Sequence, residues 1–128
     1  MTLIDYKTGN APRAKDVLLG LSPQLPIEGL IAVAGGFPDL PAGDPAALLY
    51  FQLKGGEPAG EASDAGGTRG GDLEKLLATA RQGLETLLAH FDEPATAYIV
   101  RPRPEVAALH DDYEHLARIA EWRGVEEG

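Results

Sequence analysis

Apolar positions in this chain recur at two spacings, the two-residue alternation of strands and the 3.6-residue turn of helices. Thr2 to Lys7 opens as a short β-branched and aliphatic run and closes on the turn signal Thr8-Gly9-Asn10, which predicts a strand. Arg13 to Leu19 reads as a short helix. Ser22 and Pro23 then read as N-cap and first helical position. Leu25, Ile27, Leu30, Ile31 and Ala34 supply a mostly apolar helix that Gly35-Gly36 ends. Pro26 falls in its first turn, where a missing N–H costs least.

Ala47 to Lys54 alternates as a sheet strand should. Ala47, Leu49, Phe51 and Leu53 share one face, and Leu48, Tyr50, Gln52 and Lys54 the other. Residues 55–71 carry so many glycines that the composition favours a flexible loop over any packed element. From Asp72 to Phe91, Leu73, Leu76, Leu77, Ala80, Leu84, Leu87, Leu88 and Phe91 repeat at helical spacing, and the stripe from Leu73 to Leu88 reads as ordinary core. Thr96 to Val100 is a third strand candidate. Arg101-Pro102-Arg103-Pro104 is extended, and Asp111 to Trp122 reads as a last helix. The order β, α, β, α, β, α predicts an α/β fold.

With 128 residues, 44% hydrophobic and 24% charged, the chain is long enough for one domain with a modest core. It contains no cysteine, which removes disulfides, thiolate zinc sites and an iron-sulfur cluster. No apolar run approaches the roughly 18 residues of a membrane span, so the expectation is no membrane and a cytoplasmic location. A predicted strand that begins at the first residue has no lead-in. Met1 is therefore read as an artificial start or an internal boundary, with neighbouring sequence missing.

The net charge of −9 opposes binding to a polyanion. Charge is uneven, though. Lys7, Arg13 and Lys15 stand against only Asp5 and Asp16 before Leu25, which places any DNA contact near the N-terminus. Arg101 and Arg103, in their extended segment, are further candidates for a phosphate backbone or a partner surface. His110, Asp111, Asp112 and His115 read as a solvated helix entry, because histidines five apart do not share a helix face as an i, i+4 pair does.

Asp5 and Lys7 lie two apart on the first predicted strand, so both side chains leave the same face of the sheet. Phosphodiester hydrolysis uses such a pair. A carboxylate holds Mg²⁺, the metal lowers the pKa of a bound water, and a lysine orients that water or offsets charge in the transition state. An Asp-x-Lys triplet alone is weak, since many strands end in solvated charges.

Its surroundings add to it. Ile4-Asp5-Tyr6-Lys7-Thr8-Gly9, followed by Pro23-Gln24-Leu25 on a helix, resembles the last motifs of the RecB-like branch of the PD-(D/E)xK nuclease superfamily. Ser22-Pro23-Gln24-Leu25-Pro26-Ile27-Glu28, Ala34-Gly35-Gly36-Phe37-Pro38, Phe51-Gln52-Leu53-Lys54-Gly55-Gly56 and Asp112-Tyr113-Glu114-His115-Leu116-Ala117-Arg118 resemble the C-terminal end of the bacterial AddB family. The resemblance runs over nearly the whole chain.

It implies a partial restriction-endonuclease-like core, a mixed sheet with flanking helices. It further implies a subunit of a helicase-nuclease that resects broken DNA ends beside an AddA-like partner. Asp5 then binds the metal, with the Tyr6 backbone carbonyl as a further ligand. Lys7 assists the hydrolytic water and Gln24 supports the site.

Two departures qualify the pattern. The superfamily draws another acidic ligand from a strand preceding Asp5, and only four residues precede it here, so residues 1–128 are expected to be a C-terminal fragment of the domain and inactive alone. Glu28 also stands where the RecB-like motif commonly has tyrosine. The alternative to a nuclease is a non-catalytic module that braces a partner subunit and keeps a vestigial motif.

Overall fold

Alternation along the first strand sorts its side chains cleanly: in β1 (Thr2–Lys7), Leu3, Asp5 and Lys7 are half-buried, whereas Thr2, Ile4 and Tyr6 are exposed. The structure is a computed structural model and describes residues 1–66, 72–98 and 116. The chain divides into two units, Met1–Asp92 and Glu93–Gly128, and the elements that follow all belong to the first.

Two helices follow β1, a single turn and a half at Ala14–Leu18 (α1) and a longer one at Gln24–Val33 (α2). The second begins one residue later than the sequence predicts. Pro23 occupies the N-cap position and no side chain caps the helix, so Ser22 does not act as N-cap. Pro26 is the third helical residue, and the first i→i−4 bond runs from the Ile27 N–H to the Pro23 carbonyl at 3.0 Å. The proline therefore sits where an N–H would have no helical partner. Gly35, at φ +71°, turns the chain out of α2.

β2 (Ala47–Leu53) lies parallel to β1, with Thr2 opposite Ala47 and Lys7 opposite Gln52. A parallel pair needs a long crossover, and α1 and α2 lie within it. β3 (Gly60–Asp64) then pairs antiparallel with β2, from Leu49 opposite Asp64 to Leu53 opposite Gly60. This corrects the expectation of a flexible loop over 55–71, of which residues 67–71 lie outside the described residues. Gly-Glu-Ala-Ser-Asp has almost no strand propensity. What orders it is the unpaired edge of β2, reinforced by Lys54 Nζ and Glu61 Oε2 at 2.8 Å. The third strand thus comes from here. Thr96, Ala97 and Tyr98 lie in no strand, while residues 99 and 100, Arg101, Arg103 and the expected helix from Asp111 to Trp122, apart from Leu116, lie outside the described residues.

The sheet order is β1-β2-β3, mixed in direction and flanked by helices, which agrees with the α/β class read from the sequence. One face carries the core. Val17 of α1, Leu25 of α2, Leu48 and Tyr50 of β2, Ala65, and Leu76 and Leu77 of α3 (Asp72–Asp92) form one buried cluster. Gly29 lets α2 approach closely, since a Cβ there would stand 2.8 Å from a Leu77 methyl.

The stripe on α3 is core over only part of its length, contrary to expectation. Leu76 and Leu77 are buried, whereas Leu87 and Leu88 are 53% and 56% exposed. The reason is reach: the sheet and α2 extend under the first turns of a 21-residue helix and no described element lies under the last ones.

Candidate active site

The site grows from β1 and its neighbour. Because β1 runs parallel to β2 in register, Asp5 stands opposite Tyr50 and Lys7 opposite Gln52, all on the face that carries the core. The Asp5 side chain is 12% exposed and that of Lys7 28%, so both sit at the edge of the buried layer, open on one side. Lys7 Nζ is 2.7 Å from Asp5 Oδ2. Their contact is an ion pair whose alignment makes no hydrogen bond, and Asp5 Oδ2 is a buried acceptor without a hydrogen-bond donor among the described residues.

Gln24 reaches the same place from the first residue of α2. Lys7 Nζ donates to Gln24 Oε1 at 3.2 Å, and Gln24 Nε2 donates to Glu28 Oε1 one turn along at 3.0 Å. The carboxamide suits this position because it accepts and donates at once. The structure therefore brings Asp5, Lys7 and Gln24 into one continuous polar chain ending on Glu28. Tyr6 exposes its ring on the opposite face, where it lies 5.8 Å from Phe51 centroid to centroid. Only its backbone can serve the site.

Sequence reasoning missed two neighbours. Tyr50 is 1% exposed, its ring centroid lies 5.9 Å from Lys7 Nζ, and its buried hydroxyl has no hydrogen-bond partner among the described residues. Burial, followed by the charges of Asp5 and Glu28, raises the phenol above its ordinary value, so it stays protonated. Gln52 donates to the Gly9 carbonyl at 2.8 Å and pins the turn that follows Lys7. The parallel register alone could have found them, and it is not visible in one strand at a time.

A buried, undonated carboxylate oxygen fits a hard divalent cation in kind, since such ions take oxygen ligands. In number the fit is incomplete. Among the described residues no group of three or more His, Cys, Asp or Glu could hold a metal ion.

Residues 1–126 match the PD-(D/E)XK nuclease superfamily. Over 37 residues, 29% of its length, the chain is 54% identical to an uncharacterized protein of Rickettsia bellii and equally to one of Rickettsia conorii. With a protein of Rickettsia typhi the identity is 51% over the same length. The matched stretch spans 4% of each of these relatives, which are far longer than this chain. No solved structure matches it. Among the described residues no helix is long and apolar enough to cross a membrane.

Proposed function

This chain belongs to the PD-(D/E)XK nuclease superfamily, and from that premise we propose that it is part of a Mg²⁺-dependent DNA exonuclease domain in an AddB-like subunit. The observation that carries the reading is the convergence of Asp5, Lys7 and Gln24 through contacts of 2.7 and 3.2 Å. In this reading the domain acts in the cytoplasm on double-strand DNA ends, beside an AddA-like helicase-nuclease subunit, in the resection that precedes recombinational repair.

Asp5 and the Tyr6 backbone carbonyl would hold the cation, which would polarise the scissile phosphate and acidify a water. Lys7 orients that water and offsets charge on the phosphate as the new bond forms. Gln24 orients the ammonium by accepting one of its three hydrogens. Arg101 and Arg103 are the proposed contacts to the DNA backbone.

One carboxylate does not organise in-line attack on its own. The second acidic ligand is proposed to come from a strand outside residues 1–128, so the chain assayed alone is expected to show little or no digestion of linear DNA. The test compares it with a longer polypeptide that includes such a strand, with and without Lys7→Ala. The longer protein should digest DNA when Mg²⁺ is present and lose about 10²-fold in rate on the substitution. Unchanged digestion by Lys7→Ala removes the lysine from the mechanism, and robust digestion by the 128-residue chain overturns the incomplete site.

A second reading, a non-catalytic module that braces a helicase subunit, is favoured by the net charge of −9 and by Glu28. It predicts no digestion by either protein together with retained binding to the partner.

A further inference from the structure

Packing does not explain the hydroxyl of Tyr50. The ring fills the core beside Leu48 and Leu25, a task that phenylalanine performs as well, yet the chain buries an O–H that has no partner among its neighbours. Leaving a buried donor unpaired is destabilising, so an unpaired one beside an undonated carboxylate oxygen points to a partner that arrives later. Asp5 stands opposite Tyr50 on the adjacent strand, on the same face. The charges of Asp5 and Glu28 both act on this hydroxyl, and an ionised carboxylate can only accept.

We propose that Tyr50 is a positioning residue whose phenolic O–H donates to the Asp5 carboxylate once a bound cation displaces Lys7 from Asp5. In the structure as it stands, Lys7 Nζ occupies Asp5 Oδ2 at 2.7 Å and lies across the face of the Tyr50 ring. When the cation displaces the ammonium, Asp5 loses that contact and would be free to rotate. The phenol then donates a charge-assisted hydrogen bond to one carboxylate oxygen, which would leave the other for the cation. This inference rests on the nuclease reading, in which Asp5 is the metal ligand.

The experiment uses the full 128-residue chain with Mn²⁺ as the probe, read as paramagnetic broadening of backbone amide resonances around Asp5. Wild type, Asp5→Asn and Tyr50→Phe are titrated in parallel, and their metal-free melting temperatures are recorded. Tyr50→Phe should melt at or above the wild-type temperature and bind Mn²⁺ about tenfold more weakly, the loss of one hydrogen bond to a charged group. A second readout needs no variant: with ¹³C-labelled tyrosine, the Cζ resonance of the buried ring should shift when Mg²⁺ is added to wild type.

Equal Mn²⁺ affinity in Tyr50→Phe, with affinity lost in Asp5→Asn, overturns the role of Tyr50 and leaves the nuclease reading standing. A lowered metal-free melting temperature in Tyr50→Phe, or a Cζ resonance indifferent to Mg²⁺, also overturns it. Wild-type-like Mn²⁺ binding in Asp5→Asn removes the metal site itself and both readings with it, whereas no broadening near Asp5 in wild type overturns the role of Tyr50 alone, because the second acidic ligand is proposed to lie outside this chain.

Discussion

Lys7 lies 2.7 Å from Asp5, two positions back on the same strand, and its ammonium is shared with the carboxamide of Gln24 at 3.2 Å. One cation is thus held between an anion on β1 and a neutral amide on α2. The amide matters because it fixes Lys7 without neutralising it. Gln24→Leu in a nuclease-competent longer polypeptide is therefore expected to lower the rate of DNA digestion by about 10- to 100-fold, as removal of an outer-shell partner does. Glu28→Ala, which only frees the amide's far end, should cost less. Initial rates on linear duplex DNA check both, and a Gln24→Leu enzyme at full rate would detach α2 from the chemistry.

The two halves of α3 should respond differently to truncation. Leu77 is 8% exposed and packs in the central cluster, so Leu77→Ala should cost about 2–5 kcal/mol of stability. Leu88 is 56% exposed, and Leu88→Ala should stay within about 0.5 kcal/mol. Urea unfolding followed by circular dichroism measures both.

Gly35 ends α2 at φ +71°, and a Cβ there would lie 3.1 Å from that of Ala42. Strain and crowding act in the same direction. Gly35→Ala should destabilise the chain by about 1–2 kcal/mol, the penalty of a left-handed residue with a side chain. Gly43→Ala, where nothing lies within 4 Å, is the matched control and should be near neutral in the same denaturation.

Tyr50 should also register in the alkaline limb of the stability curve. Its phenol is raised by burial first and then by Asp5 and Glu28, so folding favours the protonated form. That contribution is fully present below the ordinary tyrosine value near 10.0 and is lost as pH rises through the higher folded-state value. Melting temperatures measured between about pH 9 and 12 should fall, and the fall should be shallower in Tyr50→Phe. Identical slopes in the two proteins would place the alkaline loss elsewhere.

Much of the fold was legible because its signals are local. The run from Thr2 to Lys7, the alternation from Ala47 to Leu53 and the helical spacing from Asp72 to Phe91 each depend on residues a few positions apart, and β1, β2 and α3 form there. β3 was illegible for the complementary reason. Nothing in Gly60–Asp64 seeks a strand, and its order comes from the hydrogen-bonding edge that β2 presents to it. Ser22 misled because a good capping residue beside Pro23 reads as a helix start, whereas Pro23 itself takes the cap position.

By itself the sequence determined that Asp5 and Lys7 share a face, since a strand's two-residue period leaves no other outcome, and that a polar Gln24 lies on a helix that follows them. Only the tertiary structure decided that this face is the one turned to the core, that Gln24 comes within 3.2 Å of Lys7, and that Tyr50 stands opposite Asp5. Periodicity specifies direction relative to one's own backbone. Which neighbour waits in that direction depends on strand register and crossover, which pair residues more than forty positions apart.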